Sequence, residues 1–230
     1  MPGALALEAV VFDLDGVLVD SRPAITAGIA HALEVHGLPT VPYEEVNTYI
    51  GPPLRDAFVA ILADRGGDVT LADECVHTFR RYYRDHCAEG TVMQPGVDEA
   101  LLALSEVLPL AVATSKPEEF ALTILEHLDL ARFFTAVAGP SLDPDGEDKA
   151  VTLRRALDGL ESILGRALDP RACIIVGDRH HDVDAARAVG IRTVGVTWGF
   201  GDDDELAAAE HLVRSPDELL ALLRVGRLSR

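Results

Sequence analysis

The sequence predicts an α/β protein, a doubly wound parallel sheet with a helical domain inserted into it. Several short runs are apolar throughout instead of alternating, as strands buried on both faces of a parallel sheet are. Most of these runs are separated by segments whose apolar residues recur with a spacing near 3.6, and alternating strand and helix is the signature of a doubly wound sheet. One long block, from Asp20 to about Thr91, breaks the alternation with helical periodicity and no convincing buried strand.

The first buried run is Ala9–Leu14. The helical block follows, with candidate helices at Pro23–His36 ending at Gly37, Pro53–Arg65 ending at Gly66-Gly67, and Leu71–Cys87. Connecting loops in βα units run to only about 2–6 residues beside their helix. The block therefore reads as an inserted domain, 20–91, in a core made of 1–19 and 92–230. Beyond it come a helix at Val97–Val107, a strand at Leu108–Ala113, a helix at Pro117–Leu128 and a strand at Thr135–Ala138. The series continues with a helix at Lys149–Leu164, a strand at Cys173–Val176, a helix at Asp182–Val189 and a strand at Arg192–Val196. Pro117 suits a first helical turn, Gly190 suits the residue after a helix end, and Ser215-Pro216-Asp217-Glu218 caps a C-terminal helix.

With 230 residues, 48% apolar and 25% charged, the composition is that of a globular protein with room for a sizeable core. The 38 acidic residues against 20 basic ones give a formal charge of −18, which repels nucleic-acid backbones and anionic headgroups. Neither nucleic acid nor a membrane surface is an expected partner. The basic residues are eighteen arginines and two lysines, Lys116 and Lys149. Three cysteines, Cys75, Cys87 and Cys173, are odd in number and far apart, so a reducing interior is expected. Met1–Ala9 contains Glu8 and lacks the basic start of a signal peptide, and no uncharged apolar run reaches the roughly 18 residues of a membrane helix. These features predict a cytoplasmic protein.

In open α/β sheets, ligands bind beyond the carboxyl ends of the strands. After the first run stands Asp13-Leu14-Asp15-Gly16-Val17-Leu18-Val19-Asp20-Ser21, which is either ordinary turn chemistry or a carboxylate pair aimed at the crevice. Thr114-Ser115-Lys116-Pro117, after the second run, is either a helix cap or an anion site at a helix N-terminus. Gly177-Asp178-Arg179-His180-His181-Asp182, after the fourth, is either a capping Asp or a second carboxylate pair. Neither the first motif nor Asp143-Pro144-Asp145-Gly146 has the spacing of a calcium loop.

Taken together and in order, Asp13-x-Asp15-Gly16, Thr114-Ser115-Lys116-Pro117, Lys149 and Gly177-Asp178-x-x-x-Asp182 resemble the four motifs of the haloacid dehalogenase-like hydrolase superfamily. The helical insertion is similar to the small cap of its phosphoglycolate phosphatase-like branch. The resemblance implies a Rossmann-like core and a Mg²⁺-dependent phosphatase for a small anionic phosphomonoester, with a cap that closes to exclude water. Asp13 would be the nucleophile that forms an aspartyl-phosphate, and Asp15 the acid and then the base. Asp13, the backbone carbonyl of Asp15, and Asp178 would hold Mg²⁺, with Asp182 as a further contributor. Gly16, Thr114, Ser115 and Lys149 would surround the phosphoryl oxygens, with Lys116 nearby.

Haloacid dehalogenases lack the second Asp, so Asp15 favours phosphate esters. Phosphonatases and β-phosphoglucomutase-like members use a cap lysine, and none lies between Asp20 and Thr91. In the cap, Ile50-Gly51-Pro52-Pro53-Leu54-Arg55 resembles a loop that faces the active site, and Arg55 is either a substrate contact or a surface arginine. Arg80, Arg81 and Arg84 form a locally basic run whose default reading is a solvated helix face. His181 is either a substrate contact or an exposed loop histidine.

Overall fold

The computed structural model describes residues 6–50, 53–142 and 147–224. Part of the N-terminal segment read for a leader, Gly51-Pro52, and Asp143-Pro144-Asp145-Gly146 lie outside the described residues. The chain divides into two compact units, one of residues 6–20, 93–142 and 147–224, the other of 21–50 and 53–92.

In chain order the larger elements are β1 (Ala9–Phe12), β2 (Val19–Asp20), α1 (Arg22–Val35), α2 (Leu54–Asp64), α3 (Ala72–His86) and β3 (Val92–Met93). They continue with α4 (Val97–Ser105), β4 (Leu110–Ala113), α5 (Glu118–His127), β5 (Ala136–Ala138) and α6 (Lys149–Leu164). The last are β6 (Cys173–Gly177), α7 (His180–Val189), β7 (Arg192–Val196), β8 (His211–Val213) and α8 (Pro216–Arg224).

The main sheet has the order β5-β4-β1-β6-β7-β8, and every neighbouring pair is parallel. Alternate residues of its strands serve opposite faces. Ala9, Val11, Ala111, Ala113, Cys173 and Ile175 join Leu153, Ala156, Leu157 and Leu160 of α6 and Ala185 and Ala186 of α7 in one buried cluster. Small sheet residues let α6 lie close: a Cβ on Gly159 would stand 3.0 Å from the Ala136 methyl. The Asp148 side chain caps the start of α6 by accepting from Ala150 N at 2.7 Å. This close seating brings the first residue of α6, Lys149, to the carboxyl edge of the sheet.

The helical unit has its own core. The Phe79 ring stacks on Tyr83 at 4.9 Å and meets Phe58 edge-on at 6.1 Å. Gly28 of α1 is required there, because a Cβ would approach Phe79 Cε2 to 2.7 Å.

The parallel α/β architecture is the one expected. The sheet has a sixth strand, β8, that the apolar-run criterion misses: it is a half-exposed edge strand that opens on a histidine. Helix α7 starts at His180 instead of Asp182, because Asp182 Oδ2 accepts from Arg179 N at 3.2 Å and acts as a cap from inside the first turn. No helix of the described residues is long and apolar enough to cross a membrane.

Leu160 is fully buried under α6, whereas Ile163 on the same helix is 64% exposed. Leu160→Ala should therefore cost about 2–5 kcal/mol and lower the urea midpoint with little change in slope, while Ile163→Ala should stay within about 0.5 kcal/mol of the parent.

Candidate active site

The direction of strand ordering reverses at β1, which lies between β4 and β6. Such a switch point opens a crevice beyond the strand ends. Phe12 stands opposite both Val112 and Val176, so the three strands end level. Asp13 N donates to Val176 O at 2.9 Å and carries the ladder one residue past β1. The chain then turns at Gly16, whose φ of +87° suits glycine and whose amide donates to Val19 O at 2.8 Å. A side chain here would also collide with Asp178, since a Cβ would lie 2.1 Å from Oδ2.

Lys149 Nζ donates to Asp13 Oδ1 at 2.6 Å and lies 3.1 Å from Asp182 Oδ1. Lys116 Nζ stands 3.3 Å from Asp15 Oδ2. Both lysines of the chain are thus buried at one end of the sheet and ion-paired with its carboxylates. Asp13, Asp178 and Asp182 bring one carboxylate oxygen each to within 4.8 Å of one another. Asp178 Oδ2 accepts from Phe200 N at 2.6 Å, while Oδ1 is buried with no hydrogen-bond partner. Converging hard oxygen donors, one of them an orphan, suit a divalent cation.

The electrostatics express the same crowding. Burial, reinforced by the Asp13 and Asp182 charges, pushes the Asp178 carboxyl up to about 8. Burial also raises Asp13, to about 6, against the lowering pull of Lys149. Burial disfavours the Lys149 ammonium, but Asp13 and Asp182 outweigh it and hold the group firmly protonated.

The structure brings Asp13, Asp15, Gly16, Thr114, Lys116, Lys149, Asp178 and Asp182 to the carboxyl edge of the core unit. The carboxylate of Asp15 stands outside the metal-like trio and pairs with Lys116 instead. Asp182 serves two ends, capping Arg179 N through Oδ2 and facing Lys149 through Oδ1. Gly177 makes room for it, since a Cβ there would meet Asp182 Cβ at 2.3 Å. Thr114 is buried and its hydroxyl accepts from Lys116 N at 3.1 Å, whereas Ser115 is exposed. Arg55 lies in the helical unit, where its Nε donates to Asp73 Oδ1 at 2.8 Å. In the same unit, Arg81 and Arg84 are exposed and Arg80 is half-buried. His181 lies at the surface beside the His180 ring, and partial desolvation there, together with the nearby His180 and Arg179 charges, lowers its pKa.

Two parts of the core site escape a motif reading. Arg155 Nη1 donates to Gly139 O at 2.9 Å and Glu147 Oε1 at 3.0 Å, and Nη2 to Glu118 Oε2 at 3.0 Å. It thereby ties together residues two past Lys116, one past β5 and two before Lys149. The other part is Trp198-Gly199-Phe200-Gly201, which follows β7 and covers Asp178. Its position after a buried strand, with glycines flanking an aromatic, was the available signal.

A sequence-family model described as haloacid dehalogenase-like hydrolase matches residues 10–196. A phosphoglycolate phosphatase of Neisseria meningitidis is 34% identical over 200 residues, covering 85% of this chain and 83% of its own. A 5'-nucleotidase of Pseudomonas aeruginosa is 35% identical over 206 residues, covering 89% of each. The solved structure of Mycobacterium tuberculosis protein tyrosine kinase A is similar with a TM-score of 0.78 at 34% identity, covering 95% of this chain and 98% of that one.

The raised carboxyl groups set a pH dependence. Both folded values exceed the unfolded one near 3.8, so between them the folded, metal-free protein keeps protons that the unfolded chain has released. Their contribution is fully present below about pH 4 and is lost as pH rises through about 6 for Asp13 and about 8 for Asp178. In excess chelator, the thermal midpoint should therefore fall as pH is raised from about 5 to about 8.5, and Asp178→Asn should flatten that slope.

Proposed function

Because the chain belongs to the haloacid dehalogenase-like hydrolases and is a phosphatase, we propose that it hydrolyses a small phosphomonoester through a phosphorylated Asp13, with Mg²⁺ as its metal. The carrying observation is the pairing of Asp13 with Lys149 at 2.6 Å, two residues before a second, partly exposed carboxylate. Lys149 holds one oxygen of Asp13 and keeps the group more acidic than burial alone would. The other oxygen attacks phosphorus as the ester P–O bond breaks. Asp15, positioned by Lys116 and partly exposed, takes up a proton from solvent and passes it to the departing alkoxide. The resulting Asp15 carboxylate then takes a proton from the water that attacks the phosphoryl group and frees Asp13. Thr114, beyond the end of β4, and Lys149 would receive the non-bridging oxygens. Asp13 and Asp178, with Asp182 beside them, would hold Mg²⁺, which when bound supplies positive charge for the transferring phosphoryl group.

Phosphoglycolate and nucleoside 5'-phosphates are the first substrates to test, on the strength of the two named relatives. A cytoplasmic setting is supported by three buried cysteines that form no disulfide, Cys75, Cys87 and Cys173.

Purified protein should release inorganic phosphate stoichiometrically from such monoesters and lose this activity in excess chelator. Asp13→Asn should reduce release to the detection limit with an unchanged circular dichroism spectrum. Asp15→Asn should still take a phosphoryl group from p-nitrophenyl phosphate, whose leaving group needs no acid, and give a burst followed by slow turnover. Undiminished hydrolysis by Asp13→Asn, or transfer to a sugar hydroxyl or protein tyrosine in place of water, would overturn the reading.

A further inference from the structure

Backbone encloses Asp178 on several sides. A Cβ would stand 2.1 Å from its Oδ2 at Gly16, 2.3 Å from its Cβ at Gly199, and 1.9 Å from its carbonyl oxygen at Gly201. No side chain fits at any of the three. Within this enclosure the Phe200 amide occupies Oδ2 at 2.6 Å, and Oδ1 remains buried without a partner. The loop after β7 thus takes one oxygen of the carboxylate and leaves the other available.

The loop is tied at both ends. At its start, Trp198 Nε1 donates to Val17 O at 3.1 Å. At its far end, Glu205 Oε2 accepts from Arg179 Nε at 2.7 Å, meets His180 Nδ1 at 2.9 Å and accepts from His180 N at 3.3 Å. Arg179 and His180 are the two residues directly after Asp178, so one carboxylate fastens the loop to the segment it covers. Burial raises the Glu205 carboxyl, but the bonds from Arg179 and His180 outweigh it and hold the group down to about 2.

We propose that Glu205 is a positioning residue for the metal-binding carboxylate. By gripping Arg179 and His180 it closes the 198–205 loop on Asp178, so that the Phe200 amide orients Oδ2 and Oδ1 alone is presented to the cation. The inference rests on the reading of Asp13, Asp178 and Asp182 as a divalent-cation site.

Opposite charge changes separate positioning from bulk electrostatics. Glu205→Gln removes a negative charge, which by itself weakens cation binding. Arg179→Met removes a positive charge, which by itself strengthens it. If the clasp positions Asp178, both variants bind Mg²⁺ more weakly.

The experiment is calorimetric titration of Mg²⁺ into the wild type, Glu205→Gln, Arg179→Met and Asp178→Asn proteins, with the emission of Trp198, the only tryptophan, read in parallel. A loss of about 10- to 100-fold in Mg²⁺ affinity is expected for both clasp variants, with the red-shifted emission of a loosened loop. Their kcat should recover when Mg²⁺ is raised to saturation. An Arg179→Met affinity equal to or tighter than that of the wild type overturns the inference, and so does a Glu205→Gln affinity within about twofold of it. Should Glu205→Gln fail to fold, Arg179→Met decides alone. The underlying metal reading fails separately, if wild type binds no Mg²⁺ or Asp178→Asn binds it as well as wild type does.

Discussion

The Lys149 ammonium, buried between Asp13 and Asp182, is the interaction on which the site depends. It joins residues 136 positions apart and sets the first turn of α6 against the end of β1. Burying three charged groups is costly, and such a cluster contributes little net stability compared with a well-packed apolar one. What it imposes is geometry. Removing the ammonium would leave two buried carboxylates without their counter-charge, which is far more damaging than never having had the trio. The apolar core makes the arrangement possible: Ala9, Ala111, Ala113 and Ala138 are small enough for α6 to settle on the sheet and carry Lys149 into reach.

The charge of −18 acquires a local meaning at this edge. Carboxylates dominate here too, and both lysines are committed to them, Lys149 to Asp13 and Asp182 and Lys116 to Asp15. An ammonium suits these positions because it is compact and directs its donors in several directions, whereas a guanidinium is a planar fork. The fork serves instead at Arg155, where donors in one plane reach Gly139, Glu147 and Glu118. Those pairs are half-exposed, so their value lies in holding the two lysine-bearing segments in register more than in stability. Burial and the Asp13 and Asp182 charges raise the Asp178 carboxyl and so favour its protonated form. On the proposed metal reading, proton and cation would compete for the same oxygens.

Close backbone approach is the second constraint. Gly16, Gly177, Gly199 and Gly201 all lie where an added Cβ would strike Asp178 or Asp182. The acidic groups are positioned by main chain packed against them as much as by side-chain partners. This explains how two carboxylates keep their orientations in a pocket where mutual repulsion would turn them apart.

Much of the core was determined by sequence alone. Strands β1, β4, β6 and β7 coincide with apolar runs, because burial on both faces leaves no alternation to obscure them, and the half-buried edge strand β5 is legible because its three residues are all apolar. Helix α6 has the limits Lys149–Leu164 that periodicity assigns it, and the candidate Asp, Thr and Lys residues of the core motifs meet at one edge because parallel strands in level register must place their ends together. Tertiary structure alone decided the rest. Edge strand β8 has one wet face and so lacks an apolar run. Only three-dimensional contact shows that Lys116 belongs to Asp15, that His180 and not His181 binds Glu205, and that the loop after β7 lies over Asp178. These pairings join residues with no spacing relation in the chain. Local patterns record which face of an element is buried, whereas partners across the crevice are set by where distant elements come to rest.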